Sequence, residues 1–527
     1  MSSATINSAA AQPTLSRLLR GTFWFALKTP VSVIIALWSI PLTQKYIGFV
    51  RYDAYGFAWG FGFIQVVLEF GMSSALQKQM VDAWTRGDRA AVDRIIACGM
   101  SFYAVVAAIQ MAILPAILYG GLLPAKYQGN PLVIGLFWVQ ILTTPFFGIS
   151  AVVSAVLQAA RRYELIPRLE LAIVVLRFIA LWLGYRSSAP FLTVVVVQIA
   201  IQIGLSLGPS LYVMIRELGH IPHFGGARRS DFAAMMHISL YMALLQWSVV
   251  LADKVDKLVL GFALSGDNFP WITVYDNISK PFFHIRQTGW TLAYLVMPAV
   301  VSMAVGGDKL GLERIKYDGT RFLVGLLVPP TLLAGIYAAP FLRLWVGEAF
   351  VPYAGLQQLF LVATLPLVLS AITQMAIGMG YIRVIALVSL AGSMVNLPLS
   401  YLLTRRIGVA GVIWGTVLTT LITNLLIPAL FLFPRLEIRY KTFLTRTLSG
   451  PIIGGLALVA ACWLFRLVLS PDPASSTVVG RVGPFLTHLT IGCLAYIAGY
   501  AGTATGRGDL AALVRKLLRQ PAPGGVN

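Results

Sequence analysis

Runs of about twenty predominantly apolar residues, the length that carries a helix across the hydrocarbon core of a bilayer, follow one another along almost the whole of this chain. They centre near 22–44, 55–78, 95–120, 131–158, 164–185 and 190–215. After a polar stretch holding Arg228, Arg229 and Asp231 they resume near 234–263, 270–304, 320–342, 354–380, 382–403 and 409–433, and two more lie near 447–469 and 484–505. In lipid every backbone N–H and C=O must find its partner inside the protein, and helices of this length do that without help. The expected fold is therefore all-α: a polytopic membrane protein of about 14 transmembrane helices. With 58% of residues hydrophobic and 11% charged, and a mean hydropathy of +0.79, a water-soluble surface could not be built. No polar stretch reaches the ~50 residues of a soluble domain, so the work is done in or at the membrane.

Forty Lys and Arg against twenty Asp and Glu give a net charge of +20, an excess that points to nucleic acid, anionic lipid or membrane topology. Sorting the cations by loop, with the N-terminus inside, puts roughly 25 on the cytoplasmic side, Lys78, Arg86, Arg161, Arg162, Arg228, Lys309, Arg435 and Lys441 among them, and roughly nine outside. Both termini are then cytoplasmic, topology absorbs most of the charge, and no nucleic-acid partner is needed. The expected organisation is a cytoplasmic segment 1–21, an N-lobe of six helices (22–217), a cytoplasmic connecting loop (218–233), a C-lobe of six helices (234–433), two further helices (447–505) and a cytoplasmic tail (506–527). In that tail Leu510, Leu513, Val514, Leu517 and Leu518 with Arg515, Lys516 and Arg519 read as a basic amphipathic helix on the membrane surface.

A repeat across an even number of helices keeps its orientation in the membrane. The segment from Pro131 through Pro145 to Tyr163 is echoed in proline spacing and apolar filling by that from Pro352 through Pro366 to Tyr381, and Lys45 to Phe49 after the first helix is echoed by Leu258 to Phe262 after the seventh. These echoes support two six-helix lobes flanking a central cavity, with two C-terminal helices appended.

An ionised side chain at bilayer depth costs about 2.5–3.5 kcal/mol on insertion scales, so each needs a partner or a wet cavity. The cations falling inside helices are Lys28, Arg177, Lys254, Lys257, Lys280 and Arg286; the acids are Glu69, Asp253, Asp256 and Asp276. In the eighth run Asp276, Lys280, His284 and Gln287 form one polar stripe, readable either as a cavity wall or as a salt-bridge ladder. Asp253 with Lys257 and Asp256 with Lys254 are expected pairs. Lys28 lies where its chain could snorkel to the inner interface, whereas Arg177 has no such exit, and its guanidinium offers forked donors suited to phosphate oxygens. Arg177, Lys280, Lys28 and Arg286 are the candidate substrate-binding cations; Glu69, Asp276 and His284 are candidates for ion coupling. Pro30 is expected to interrupt the first helix.

Catalytic chemistry leaves no mark. His220 and His223 lack a third metal ligand, no phosphate-binding glycine loop with Lys-Ser or Lys-Thr occurs, and Cys98, Cys462 and Cys493 have no paired spacing and read as packing residues.

Tyr55-Gly56 and Glu69-Phe70-Gly71-Met72 in the second run, Ala252-Asp253-Lys254 with Asp256-Lys257-Leu258-Val259-Leu260-Gly261 in the seventh, and Leu344-Trp345-Val346-Gly347-Glu348 after the ninth carry a resemblance. In these the chain resembles the oligosaccharide flippases of the multidrug/oligosaccharidyl-lipid/polysaccharide exporter superfamily. Asp267 to Trp271 looks like an insertion relative to that pattern. The resemblance implies fourteen helices in two lobes and a cation-lined cavity, in the bacterial inner membrane. It further implies that a polyprenyl-pyrophosphate-linked glycan is moved outward by alternating access, with no cofactor, an H+ or Na+ gradient supplying the work, and other polysaccharide-assembly proteins as partners. A multidrug or cation antiporter, a peptidoglycan-precursor flippase and a membrane glycan polymerase are the alternatives.

Overall fold

The computed structural model describes residues 15–162, 164–294, 296–468 and 478–518, and among them every regular element is helical. Two compact units, Met1–Gln246 and Trp247–Asn527, divide the chain. The helices of the first are α1 (Leu15–Ile47), α2 (Phe49–Gly60), α3 (Phe63–Glu69), α4 (Met72–Thr85), α5 (Arg89–Tyr119), α6 (Pro131–Ala159), α7 (Leu165–Arg186) and α8 (Phe191–Tyr212); α9 (Arg229–Asp253) runs through the division. The second contains α10 (Asp256–Ala263), α11 (Trp271–Tyr294), α12 (Val296–Val305), α13 (Lys309–Arg314), α14 (Thr320–Ile336), α15 (Ala338–Trp345), α16 (Ala354–Val362), α17 (Ser370–Ala376), α18 (Ile382–Ile407), α19 (Val409–Leu421), α20 (Ile427–Arg435), α21 (Tyr440–Thr442), α22 (Ser449–Val468), α23 (Val478–Gly502) and α24 (Ala504–Leu518).

Among the described residues eight helical stretches are long and apolar enough to cross a bilayer, and Pro30–Ile47 with Phe49–Glu69, bent by 119° at Gly48, passes as a pair that joins the first two runs. Two further causes account for part of the difference from the fourteen runs. The stretch Glu348–Ile407 is continuous over 60 residues and contains two of the runs, parted at Gly380 with φ 95°. Other runs form long helices that carry charge: α7 holds Arg168, Glu170, Arg177 and Arg186, and α11 holds Asp276, Lys280 and Arg286. Outer faces are apolar, as lipid contact requires: Trp38 is 69% exposed, Leu142 61% and Trp463 63%. This is a multi-pass membrane protein.

In the first unit Met72, Leu76 and Met80 of α4 pack with Ile96 of α5, Val152 and Val156 of α6, and Met235 of α9. The N-terminal half of α9 approaches so closely that a Cβ on Gly71 would stand 2.6 Å from the backbone of Ser239 and Ala243. That contact ties the start of α9 to the first unit, whereas sequence reasoning ended that lobe at 217. In the second unit α22 and α23 pack through small residues, a Cβ on Gly499 falling 2.6 Å from Cβ of Ala457; in lipid, close backbone approach of this kind is what holds helices together. Leu333 of α14 and Tyr337, just beyond its end, share a core with Leu458 and Cys462 of α22 and with Tyr496 and Tyr500 of α23. At one end of this group Arg321, 5% exposed, grips the Asp509 carboxylate of α24 at 2.7 and 2.6 Å. Tyr500 also donates to Asp509, while Arg446 holds Asp318 at 3.0 Å.

Several expectations change. Pro30 does not interrupt α1, which continues to Ile47. The chain breaks instead at Gly48 (φ 79°) and at Phe70 and Gly71 (φ 55° and 69°). The proposed echoes differ in local structure: Pro145 lies inside the unbroken α6 while Pro366 opens a 3₁₀ turn, and Gly48 is a turn while Gly261 lies within α10; Tyr163 falls outside the described residues. Cys98 and Cys462 are buried, but Cys493 is exposed. The 267–271 insertion is a self-bonded turn in which Asp267 accepts from the Phe269 amide and the Trp271 indole, both at 2.8 Å. The segment 1–14 and the tail beyond Leu518 lie outside the described residues, as do the side chains from Ala512 onward, so the tail's amphipathic face is not seen.

Candidate functional site

The charged side chains within the helices gather into three groups, two in the first unit and one in the second. On α7, Glu170 and Arg177 are seven residues apart and so share a face. Lys28 of α1 pairs with the Glu170 carboxylate, instead of snorkelling to the interface. Arg177 Nη1 donates to Gln202 Oε1 at 2.9 Å, and Gln198 Nε2 donates to the Arg177 carbonyl at 2.9 Å. These two glutamines are one turn apart on α8, which returns beside α7 after Pro190. Among the described residues no carboxylate pairs with Arg177. The Lys28 and Glu170 charges cancel, and the guanidinium's does not.

The second unit is arranged around Asp276, 3% exposed. One of its oxygens, Oδ1, receives Lys257 Nζ at 2.7 Å and Lys280 Nζ at 2.8 Å. Among the described side chains one carboxylate faces two ammonium groups, which leaves this cluster a surplus positive charge. Buried Asp256 accepts from the hydroxyls of Tyr275 at 2.6 Å and Thr416 at 3.2 Å, and Lys257 reaches across from α10 to α11; the Asp253 side chain lies outside the described residues. Along α11 the polar stripe passes from buried Asp276 through half-buried Lys280 and His284 to exposed Gln287. Arg286 lies off that stripe, over the rings of Phe282 at 5.1 Å and Phe283 at 5.3 Å.

The third group surrounds Glu69, the last residue of α3. Tyr103 of α5 donates to its Oε1 at 2.9 Å, and both line a small pocket with Gln65, Thr144 and Gly148. Thus Lys28 and Arg177 belong to one unit and Lys280 and Arg286 to the other, and Glu69 stands apart from Asp276 and His284. Glu170 escaped sequence reasoning, and with it counted the six cations outnumber the acids by one instead of two. Its signal was depth: Lys28 and Glu170 each lie about six residues inside the first and fifth runs, which begin at the same face when every run crosses once, at 1.5 Å per residue a common level. His220 bonds to Asp93 at 2.7 Å and His223 to the Ile221 carbonyl, and among the described residues no cluster of metal ligands occurs.

No protein-family model matches this chain, and no curated protein sequence does either. Solved structures do. A lipid II flippase, MurJ, in an inward closed conformation superposes with a TM-score of 0.66 at 17% identity, over 94% of this chain and 99% of its own. An inward-facing multidrug-resistance transporter of the MATE family, in the MOP superfamily, gives 0.62 at 11% identity over 78% of this chain and 96% of its own. The chain shares the fold of these two transporters. A further MOP transporter, from Pyrococcus furiosus and described by a binding pocket of reversed polarity, gives 0.57 at 10% identity over 80% of this chain and 95% of its own. These MOP relatives in structure are transporters and not enzymes. The finer likeness to oligosaccharide flippases, read from the sequence, is a matter of cargo, which a shared fold leaves open.

Proposed function

We propose that this protein flips an anionic, polyprenyl-pyrophosphate-linked glycan from the cytoplasmic to the outer leaflet of the bacterial inner membrane by alternating access, with both termini cytoplasmic, as a step in surface-polysaccharide assembly. The observation that carries the reading is the presence in each unit of cations that no described carboxylate neutralises one for one: Arg177, whose described partners are glutamines, and the Lys257 and Lys280 pair sharing one carboxylate. Charges of this kind inside membrane helices are costly and mark substrate pathways. A forked guanidinium and compact ammonium groups are the donors that suit phosphate oxygens. Lys28 is committed to Glu170 and contributes less than the sequence alone promised. A cation or drug antiporter would favour a net acidic site, contrary to this balance. The work comes from an ion gradient, H+ or Na+, and other polysaccharide-assembly proteins receive the cargo.

One observation favours a second reading. The likeness to the lipid II flippase extends over 94% of the chain, against 78% for the MATE transporter, so a peptidoglycan-precursor lipid is the competing cargo. The test is complementation of two strains, one blocked in export of a surface-glycan lipid and one depleted of its lipid II flippase. Each receives wild type, Arg177→Ala, Arg177→Lys or Lys280→Ala at matched membrane abundance. A charge-assisted hydrogen bond contributes about 1.5–3 kcal/mol, so Arg177→Ala should lower export at least about tenfold, with Arg177→Lys between it and wild type. Normal export by both alanine variants would remove the cationic mechanism, and the strain that is rescued identifies the cargo.

A further inference from the structure

We propose that the second unit carries a sugar-stacking site at its outer end, where the rings of Phe269, Trp271 and Tyr353 receive the uncharged part of the glycan as it leaves. The inference rests on the flippase reading and deepens it by assigning the sugar rings, as distinct from the diphosphate, to particular residues.

The turn between α10 and α11 holds the residues that look inserted relative to the flippase pattern. With both termini cytoplasmic, this turn and the segment 346–353 that follows α15 lie on the same, outer side. A tight polar turn closes with residues such as Ser, Gly, Asp and Asn and needs no aromatic ring, yet this one runs Ser265-Gly266-Asp267-Asn268-Phe269-Pro270-Trp271. Phe269 is 41% exposed. Its ring centroid stands 4.5 Å from that of Trp271, and Trp271 meets Tyr353 edge-on at 6.1 Å. The rings thus form one continuous wall built from both segments.

The wall is held from behind. Besides the two bonds that Asp267 accepts, from the Phe269 amide and the Trp271 indole, the Trp271 amide donates to the Phe269 carbonyl at 2.9 Å, and Pro270 fixes one further backbone angle. A tryptophan that anchors a helix at the interface offers its N–H to water and headgroups; here the protein takes that group, and the ring is what remains to offer. Phe269 has no polar tip at all. Charge narrows the ligand further. No lysine or arginine occurs between Lys257 and Lys280 or between Arg343 and Arg383, and Arg343 is committed to Glu348 by bonds of 2.6 and 2.9 Å. Such a surface has no cation for a phosphate or an acidic peptide. It suits a neutral ring with C–H bonds on one face and hydroxyls around its rim. The C–H groups rest on the negative faces of the aromatic rings, and exposed Asn268 beside them supplies an amide donor and acceptor for the hydroxyls. A pyranose has that form.

The test uses purified full-length protein in nanodiscs, labelled with fluorotryptophan, the Trp271 fluorine resonance being assigned from its loss in Trp271→Phe. The probes are cellotetraose, chitotetraose and mannotetraose, with inorganic pyrophosphate as the control. The sugars bear no lipid or phosphate, so a negative result here is distinct from failure of the flippase reading, which the complementation strains decide. At least one sugar should shift the Trp271 resonance saturably, and pyrophosphate should not. Phe269→Ala and Phe269→Leu should each weaken that sugar's apparent affinity about threefold to tenfold, since leucine restores bulk without the ring. No shift with any of the sugars, or wild-type affinity in Phe269→Leu, overturns the proposal. So does broadening of the Trp271 resonance by spin-labelled lipid, which would put the ring in the aromatic belt of the bilayer. If Phe269→Ala does not fold, Phe269→Leu decides alone.

Discussion

Lys28 and Glu170 show how far a single residue's role can be read without its partner. Sequence placed a cation in the first helix and its depth; the acid opposite belongs to a helix 142 residues away, and only equal depth below the same face hinted at the pair. Both side chains are partly exposed, 27% and 45%, so their coupling should be about 1 kcal/mol or less. We expect Lys28→Met and Glu170→Gln each to lower the melting temperature in detergent, and the double variant to recover most of the loss and export near wild-type levels. A stable double variant that cannot export would return Lys28 to the substrate-binding set. Arg177 was legible because it lies too deep in its helix to reach an interface, and no carboxylate in the described structure pairs with it. The pairing of Lys257 with Asp276 was missed because spacing along one helix was weighed, whereas Asp276 recruits Lys257 from the preceding helix.

At the scale of the element, helices were recognisable from apolar length, and their interruptions were not. Proline 30 offered the obvious break, yet a membrane helix can pass through proline when neighbouring groups re-satisfy the freed carbonyls. The actual breaks follow residues able to adopt positive φ, and Phe70 gives no sign in its side chain of joining them. Gly71 is the position where this matters most. Alanine there meets a left-handed backbone, worth roughly 1–2 kcal/mol by itself, and a Cβ 2.6 Å from main-chain atoms of α9. Gly71→Ala should therefore lose about 2 kcal/mol or more, visible as a marked fall in melting temperature in detergent. A melting temperature unchanged by that substitution would mean that α4 and α9 are not packed as described.

For the whole molecule, the run of apolar stretches anticipated an all-helical, multi-pass membrane fold, while the division within α9 and the locking of α24 onto α14 depended on contacts that no periodicity encodes. The lock has a defined pH response. Burial pushes the Asp509 carboxyl up, but hydrogen bonds from Arg321 and Tyr500 outweigh that and hold it below its ordinary value, which is near 4. A depressed acid contributes stability that is full above its unfolded value and disappears as pH falls through the folded one. Protection of α24 from protease in nanodiscs should accordingly be flat from neutral pH to about 4 and decline only below it, and Asp509→Asn should lose protection already at neutral pH. Protection declining between pH 7 and 5 would point to a histidine instead. Arg321 and Asp509 are also separated by 188 positions, which bears on biosynthesis: the guanidinium enters the membrane long before the ribosome reaches its counterpart. Until then α14 carries a guanidinium with Asp318 beside it at 3.1 Å but without its two-pronged partner, so a nascent chain stalled before residue 509 presents the insertion machinery and quality-control proteases with a distinguishable, unfinished species.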